Sequence, residues 1–351
     1  MEIVAGINPR MQMRDVGDYA RRVESLGFDT LHIPEMVHDP FVMSSLALAS
    51  TSSLHVRTGV ALAFVRSPMV SALSAWDLAQ LSEGRFDLGL GTQIRKNVEE
   101  RYGMPFDKPV NRLREYIGAV RACFDSFGKR ECVPFQGEFY NLSRLQDEFI
   151  PKSLGDIRVP EIWLGAVGPK LSALAAEQCD GLITHPTNSH SLHLRENIIP
   201  LIDSTSGVSH KRIFPVIAAP LTVVTDTAAE RERLIDEKKK MLAFLYSTPS
   251  YTPTLDLLGF RDLGVDLRKR FSAGEGEENY RLIPDELFHQ VVIVCSFNDL
   301  ADEVHARFGG LVSGVTLRPP VDTKCDDALR SSIGALKEYR YSHSPLGNDF
   351  L

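Results

Sequence analysis

Apolar positions along the chain switch repeatedly between two spacings. Residues 2–7 form a nearly continuous apolar run, after which Val16, Tyr19, Ala20, Val23 and Leu26 recur every three or four residues, the period of an amphipathic helix. A strand followed by a helix is therefore the first unit. Gly27 closes that helix as a C-terminal cap, and residues 28–33 read as a buried second strand ending in a polar loop. The cycle repeats with a strand over 54–63, a helix over 68–81 opened by Pro68, and a strand over 84–91. A helix over 110–127 leads into an insertion, then a fifth strand at 161–166, a helix from Lys170 and a sixth strand at 180–184. Residues 212–224 give a seventh strand and 228–245 a charged helix, followed by a mixed stretch to about 287 and an apolar run at 291–294. A helix over 297–308 leads into the eighth strand at 314–317, and the last helix runs through Ala335. Strands alternating with helices without a break in composition predict an α/β fold, one closed (β/α)8 TIM barrel over 1–351 with insertions after its fourth and seventh strands. An open doubly wound sheet would show a glycine fingerprint in its first strand-to-helix turn, and none is there. Gly89 and Gly91 lie in the fourth strand and lack the third glycine of that motif.

Composition narrows the class. At 43% hydrophobic and 24% charged, 351 residues bury a full core. The net charge of −7 argues against a nucleic-acid partner, which needs clustered cations to displace counterions. The basic run Lys238, Lys239, Lys240 sits among alternating charges and reads as a solvated helix face. Five scattered cysteines with no CxxC pair suggest neither zinc nor disulfides, which fits a reducing, cytoplasmic setting. The opening residues do not read as a signal peptide, and no stretch has the length of a membrane span.

In such barrels the reactive groups sit on the loops that follow the strands. The polar residues at those positions are Glu35, His38 and Asp39; Arg66 and Ser67; Thr92, Gln93, Arg95 and Asn97; Gly168, Pro169 and Lys170; and His185. Glu35 and His38 suit acid-base work at a partly desolvated mouth, whereas Asp39 before Pro40 reads as a helix N-cap. No metal is expected, because these acids and histidines lack a ligand spacing such as HxxxH. Of His185, His190 and His193, only His185 is placed to line a site. Residues 166–170 end a strand and open a helix through glycine and proline, a turn whose free amides can hold a phosphate, with Lys170 beside it.

The segments PEMVHDPF (34–41), FVRSP (64–68), SEGRF (82–86), LGLGTQ (88–93), RYGMP (101–105), GEFY (137–140) and AVGP (166–169) together resemble the luciferase-like monooxygenase superfamily. The chain is most similar to the branch of coenzyme F420-dependent oxidoreductases, almost end to end. The resemblance implies a deazaflavin or flavin ring over the barrel mouth, against a bulge in the third strand. In relatives that bulge holds a non-proline cis peptide, which maps here to Ala61-Leu62. Asn97 would approach the ring or its ribityl chain, Thr92, Gln93 and Arg95 would line the fourth-strand side, and Val167, Gly168 and Lys170 would meet the phosphate, with Ala166 beside them in the cofactor site. Arg66, Arg95 and Lys170 are the cations expected near a polyanionic tail. Residues 246–288 resemble the start and body of a substrate-covering lid, bringing Tyr246 and Tyr251 toward the substrate with His185.

One departure from the family pattern limits the transfer. Sugar-phosphate dehydrogenases of the superfamily carry a catalytic histidine directly after the acid of the second strand, where this chain has Met36. Methionine cannot abstract a proton, so His38 and Glu35 become the candidate proton carriers. The expected activity is hydride transfer between F420 and a small organic substrate. The alternatives are an FMN-dependent monooxygenase using O2, since both cofactors share a tricyclic ring and ribityl phosphate, and a non-catalytic flavin- or deazaflavin-binding protein. Relatives pair through helices near the second and third strands, which leads to the expectation of a homodimer.

Overall fold

A computed structural model describes residues 1–205 and 214–338. Eight parallel strands close into a barrel: β1 (Glu2–Gly6), β2 (Thr30–Ile33), β3 (His55–Thr58), β4 (Phe86–Gly91), β5 (Ile162–Ala166), β6 (Gly181–Thr184), β7 (Val216–Ala218) and β8 (Gly314–Leu317). Each pairs with its neighbours in chain order, and β8 returns to β1 through Ile3 opposite Val315. The expected barrel is thus present. Arg212 and Ile213, expected to open the seventh strand, lie outside the described residues.

The strands are buried on both faces, which is why they read as apolar runs rather than alternating ones. Helices α1 (Val16–Ser25), α2 (Pro40–Ala49), α3 (Pro68–Ser82), α4 (Pro109–Lys129), α5 (Pro169–Gln178) and α6 (Ile199–Thr205) pack around them, followed by α7 (Ala228–Tyr246) and α8 (Arg261–Ser272) of an insertion and by α9 (Leu300–Phe308) and α10 (Asp326–Glu338). The openings of α2 and α3 follow from local chemistry. Asp39 accepts from the Phe41 and Val42 amides before Pro40, and Ser67 accepts from the Val70 amide before Pro68.

Two segments interrupt the alternation. Between α4 and β5 lies a small hairpin, Phe135–Gln136 with Asn141–Leu142. Between β7 and β8 a longer insertion begins and ends on a two-stranded parallel sheet, Leu221–Val224 with Val292–Cys295. That insertion has its own core of apolar residues drawn from this sheet, from α7 and α8 and from the intervening turns, including Val223, Leu242, Leu255, Leu267 and Phe288. Among the described residues no helix is long and apolar enough to cross a membrane.

The expected position of the cis peptide is corrected by the structure. It is the Gly59–Val60 bond that is cis, two residues before Ala61–Leu62. Ala61 and Leu62 have resumed regular parallel pairing, opposite Leu90 and Gly91 of β4. The ladder breaks where β3 ends at Thr58, and the bulge occupies the gap.

Candidate active site at the barrel mouth

A cavity of about 780 Å³ opens at the C-terminal ends of the strands. Its size lies in the usual range for a small-molecule or cofactor site. Val60 forms part of its floor. The Val60 methyls project toward β4 and β5, where a Cβ on Gly91 would lie 2.5 Å and one on Gly165 2.7 Å from them. The LGLG segment of β4 is therefore a close-approach device in the barrel wall, not a phosphate turn.

Glu35 holds this bulge on two sides. Its amide donates to the Val60 carbonyl at 3.1 Å, and its carboxylate accepts from the Leu62 amide at 2.7 Å. Arg66 grips the same carboxylate with both terminal nitrogens, at 2.5 and 2.9 Å, and reaches Asp39 at 3.3 Å. The ends of a buried bidentate pair are fixed in orientation as well as in charge. Glu35 thus serves the shape of the floor, and Arg66 is committed to it rather than to the cavity.

Of the residues expected in the site, Glu35, Leu62, Thr92, Gln93, Arg95, Ala166, Val167, Gly168, His185 and Tyr251 line the cavity. Ala61 is fully buried behind it. His38 is half-buried, Lys170 exposed, and neither they nor Asn97 and Arg66 contribute to the lining. Tyr246 is sequestered in the core of the insertion, away from the cavity. The cation near the fourth strand, Arg95, pairs with Glu99 at 2.8 Å and lies over the Phe106 ring.

Contacts between the insertion and the barrel include a ring stack and a hydrogen bond. His185, just after β6, stacks on Tyr251 with ring centroids 4.6 Å apart, and the Thr254 hydroxyl donates to the Thr187 carbonyl at 2.6 Å. His185 Nδ1 lies 2.8 Å from the Thr187 hydroxyl, and burial pushes the imidazole down to about 4. It is a neutral ring at ordinary pH.

The opening of α5 forms one side of the cavity. Gly168 is its N-cap in extended conformation and Pro169 its first residue. Gly168 lines the cavity and a Cβ there would meet nothing within 4 Å, and the first amides of a helix have no intrahelical partner. Asn188 fixes the turn by donating to the Ala166 and Val167 carbonyls at 3.0 and 3.1 Å.

The lining also includes polar residues that the sequence reading does not name for the site, among them His32, Thr184, Thr316 and Arg318. His32, Thr184 and Thr316 lie within the strands themselves, and Arg318 directly follows β8. The signal for His32 was present, since a histidine within a four-residue strand buried on both faces must point either at a helix or into the barrel. Among the described residues no group of three or more His, Cys, Asp and Glu side chains could hold a metal ion.

A closed parallel barrel with a cavity at its C-terminal face, floored by a β-bulge, defines the class of fold. The luciferase-like monooxygenase family model matches residues 3–314, and the chain belongs to that family. It is similar to an uncharacterised protein of Mycobacterium tuberculosis, with 32% identity over 305 residues, 87% of this chain and 89% of that one. It is also similar to a Mycobacterium tuberculosis protein named as a candidate coenzyme F420-dependent oxidoreductase, with 30% identity across 77% of this chain and 81% of that one. Among solved structures, the coenzyme F420-dependent tetrahydromethanopterin reductase of Methanopyrus kandleri superposes with a TM-score of 0.76 at 16% identity, covering 97% of this chain and 99% of that one.

Proposed function

We propose that the protein is an F420-dependent oxidoreductase, transferring a hydride between the deazaflavin and a small organic substrate. The observation that supports this most is the cavity: an apolar pocket with a shaped floor at Val60, and with the start of α5 lining it at Gly168. A tricyclic ring bearing a ribityl phosphate needs that combination, flat apolar walls for the ring and backbone donors for the phosphate. When bound, the deazaflavin supplies the two-electron chemistry, and the chain supplies orientation and exclusion of water.

The residues fit such a ligand. Val60 and Leu62 would support the ring from the bulge, Thr92, Gln93 and Arg95 would face it from the β4 side, and Val167 and Gly168 would hold the phosphate. Arg95 and Arg318 are the cations placed at the cavity for an anionic tail. His185 lines the cavity, whereas His38, the imidazole expected to carry a proton, does not. Glu35 is retained as a positioning residue, since its carboxylate is fully engaged.

Two further proposals accompany this reading. FMN in place of F420, with O2 as co-substrate, is the second reading, supported by the monooxygenase description of the family that the chain matches. A homodimer through α2 and α3 is supported by Val42, Leu46 and Val70, apolar side chains that these helices leave facing outward.

Fluorescence titration of the purified protein with FMN and with oxidised and reduced F420 tests the assignment. Tight binding of F420 alone is expected. Preference for FMN moves the assignment to the monooxygenase, and binding of neither overturns it.

A further inference from the structure

Directly opposite one another on β2 and β3 stand His32 and Arg57, paired in register inside the barrel. Both are buried, with 6% and 4% of their surface exposed. The Arg57 guanidinium lies 3.2 Å from His32 Nε2. It cannot turn away freely, because Trp163 lies beneath it at 3.7 Å and the carboxylates of Glu2 and Asp87 flank it at 3.4 and 3.7 Å.

Chemistry then decides which nitrogen of His32 bears the proton. A guanidinium has donors only and does not lose its charge at accessible pH. Nε2 must therefore accept, and the imidazole proton resides on Nδ1. Burial, reinforced by the positive charge of Arg57, pushes His32 well below the ordinary histidine range. Both carboxylates near Arg57 are turned to the guanidinium rather than to the imidazole.

The other edge of the ring faces the cavity. His32 lines it, and Nδ1 has no hydrogen-bond partner among the described residues. The nearest neighbour on that side is Gly59 of the cis bond, where an added Cβ would stand 3.2 Å from Nδ1. A second unpartnered polar group lies at this floor. Thr316 Oγ1 on β8 is buried without a hydrogen-bond partner and also lines the cavity. Between the two strands runs β1, whose Gly6 is opposite His32 and carries no side chain to cover either group.

We propose that Arg57 locks His32 as a neutral Nδ1–H donor on the cavity floor, an obligate hydrogen-bond donor that recognises a ligand through an acceptor atom. Carbonyl oxygens and imine-type nitrogens are the chemical class it takes, and an ammonium or other donor-only group is rejected. On the reading of the cavity as a deazaflavin or flavin site, on which this assignment of ligand rests, the acceptor is on the tricyclic ring. Such a locked neutral imidazole recognises an acceptor without competing for its proton.

Two measurements test this separately. Long-range 1H–15N correlation spectra of histidine-labelled protein, with the His32 signals assigned from a His32→Phe variant, report its tautomer without any ligand. A neutral Nδ1–H ring unchanged between pH 6 and 8 is expected. An Nε2–H tautomer, or titration near 6.5, overturns the lock whatever the protein binds. Fluorescence titration then compares wild type, His32→Phe and His32→Gln with FMN and with F420, each variant checked for native circular dichroism. His32→Phe is expected to bind the wild type's preferred cofactor about tenfold more weakly, the worth of one neutral hydrogen bond, with His32→Gln in between because it keeps a donor. Equal affinity in the folded His32→Phe protein overturns the ligand assignment. Failure of wild type to bind either cofactor overturns the cofactor reading and this ligand assignment together, while the spectra still decide the lock.

Discussion

Arg66 holds both carboxylate oxygens of Glu35, and the Leu62 amide shares one of them. Through that shared atom an ion pair at the rim of the cavity holds the backbone that floors it. A group so engaged is a poor proton carrier, because losing the pair would leave a half-buried guanidinium with Asp39 as its one other acidic partner among the described residues.

Removing either partner is expected to cost more than a surface ion pair does. Glu35→Gln and Arg66→Met should each destabilise the fold by about 3 kcal/mol, read from urea midpoints. The double variant should lose less than the sum, with a coupling of more than about 1 kcal/mol. Strict additivity would show that the two side chains do not act as a unit. Cofactor affinity should fall in the single variants even where the protein remains folded.

Val60 gives a second, steric test. Gly91→Ala and Gly165→Ala each place a methyl carbon within 2.7 Å of a Val60 methyl group, and each should destabilise by about 1–3 kcal/mol. Val60→Ala added to either variant should restore much of the loss. No rescue in thermal or urea unfolding would mean that the surrounding backbone, rather than Val60, sets the requirement for glycine.

The same residues explain what could and could not be read in the sequence. The alternation of buried strands and amphipathic helices is a local property, so eight strands and the C-terminal location of the site were legible from hydrophobic spacing. The insertion was legible as a departure from that spacing, yet Tyr246 was assigned to the substrate although it belongs to the insertion's core. The cis bond could not be placed, because the bulge depends on contacts between Val60 and two glycines far along the chain, Gly91 and Gly165. His32 and Arg57 were overlooked for the opposite reason: they are ordinary strand positions until the register of β2 against β3 brings them together. The resemblance supplied residue roles by motif position, and Lys170 and Asn97 show its limit, since matching a motif does not turn a side chain into the cavity.

The outward faces of α2 and α3 predict assembly. Val42 and Val70 each expose 52% of their surface, and a charge at either should be tolerated by a monomer but not by a dimer interface. Val42→Glu and Val70→Glu are expected to convert a dimeric wild type into monomers in light scattering, with native circular dichroism. A wild type already monomeric at tens of micromolar, an order-of-magnitude working concentration, overturns the proposal.

His185 makes stability depend on pH in a direction that can be worked out. Burial lowers the folded-state value from 6.5 to about 4, so between those values the unfolded chain binds the proton more readily than the folded one. Its contribution is therefore complete above about pH 6.5 and is lost as pH falls toward 4. For this group alone the loss between pH 7 and 4.5 is roughly 2 kcal/mol, by linkage. His185→Phe keeps a ring to stack on Tyr251 and has no proton to gain. Its urea midpoint should decline less steeply between pH 7 and 4.5 than that of wild type. His32, displaced in the same direction, should keep part of the acid sensitivity in that variant, and His32→Phe should remove a further part. If the wild type and His185→Phe lose stability in parallel, the imidazole takes up its proton equally in the folded and unfolded chains, and burial does not hold it neutral.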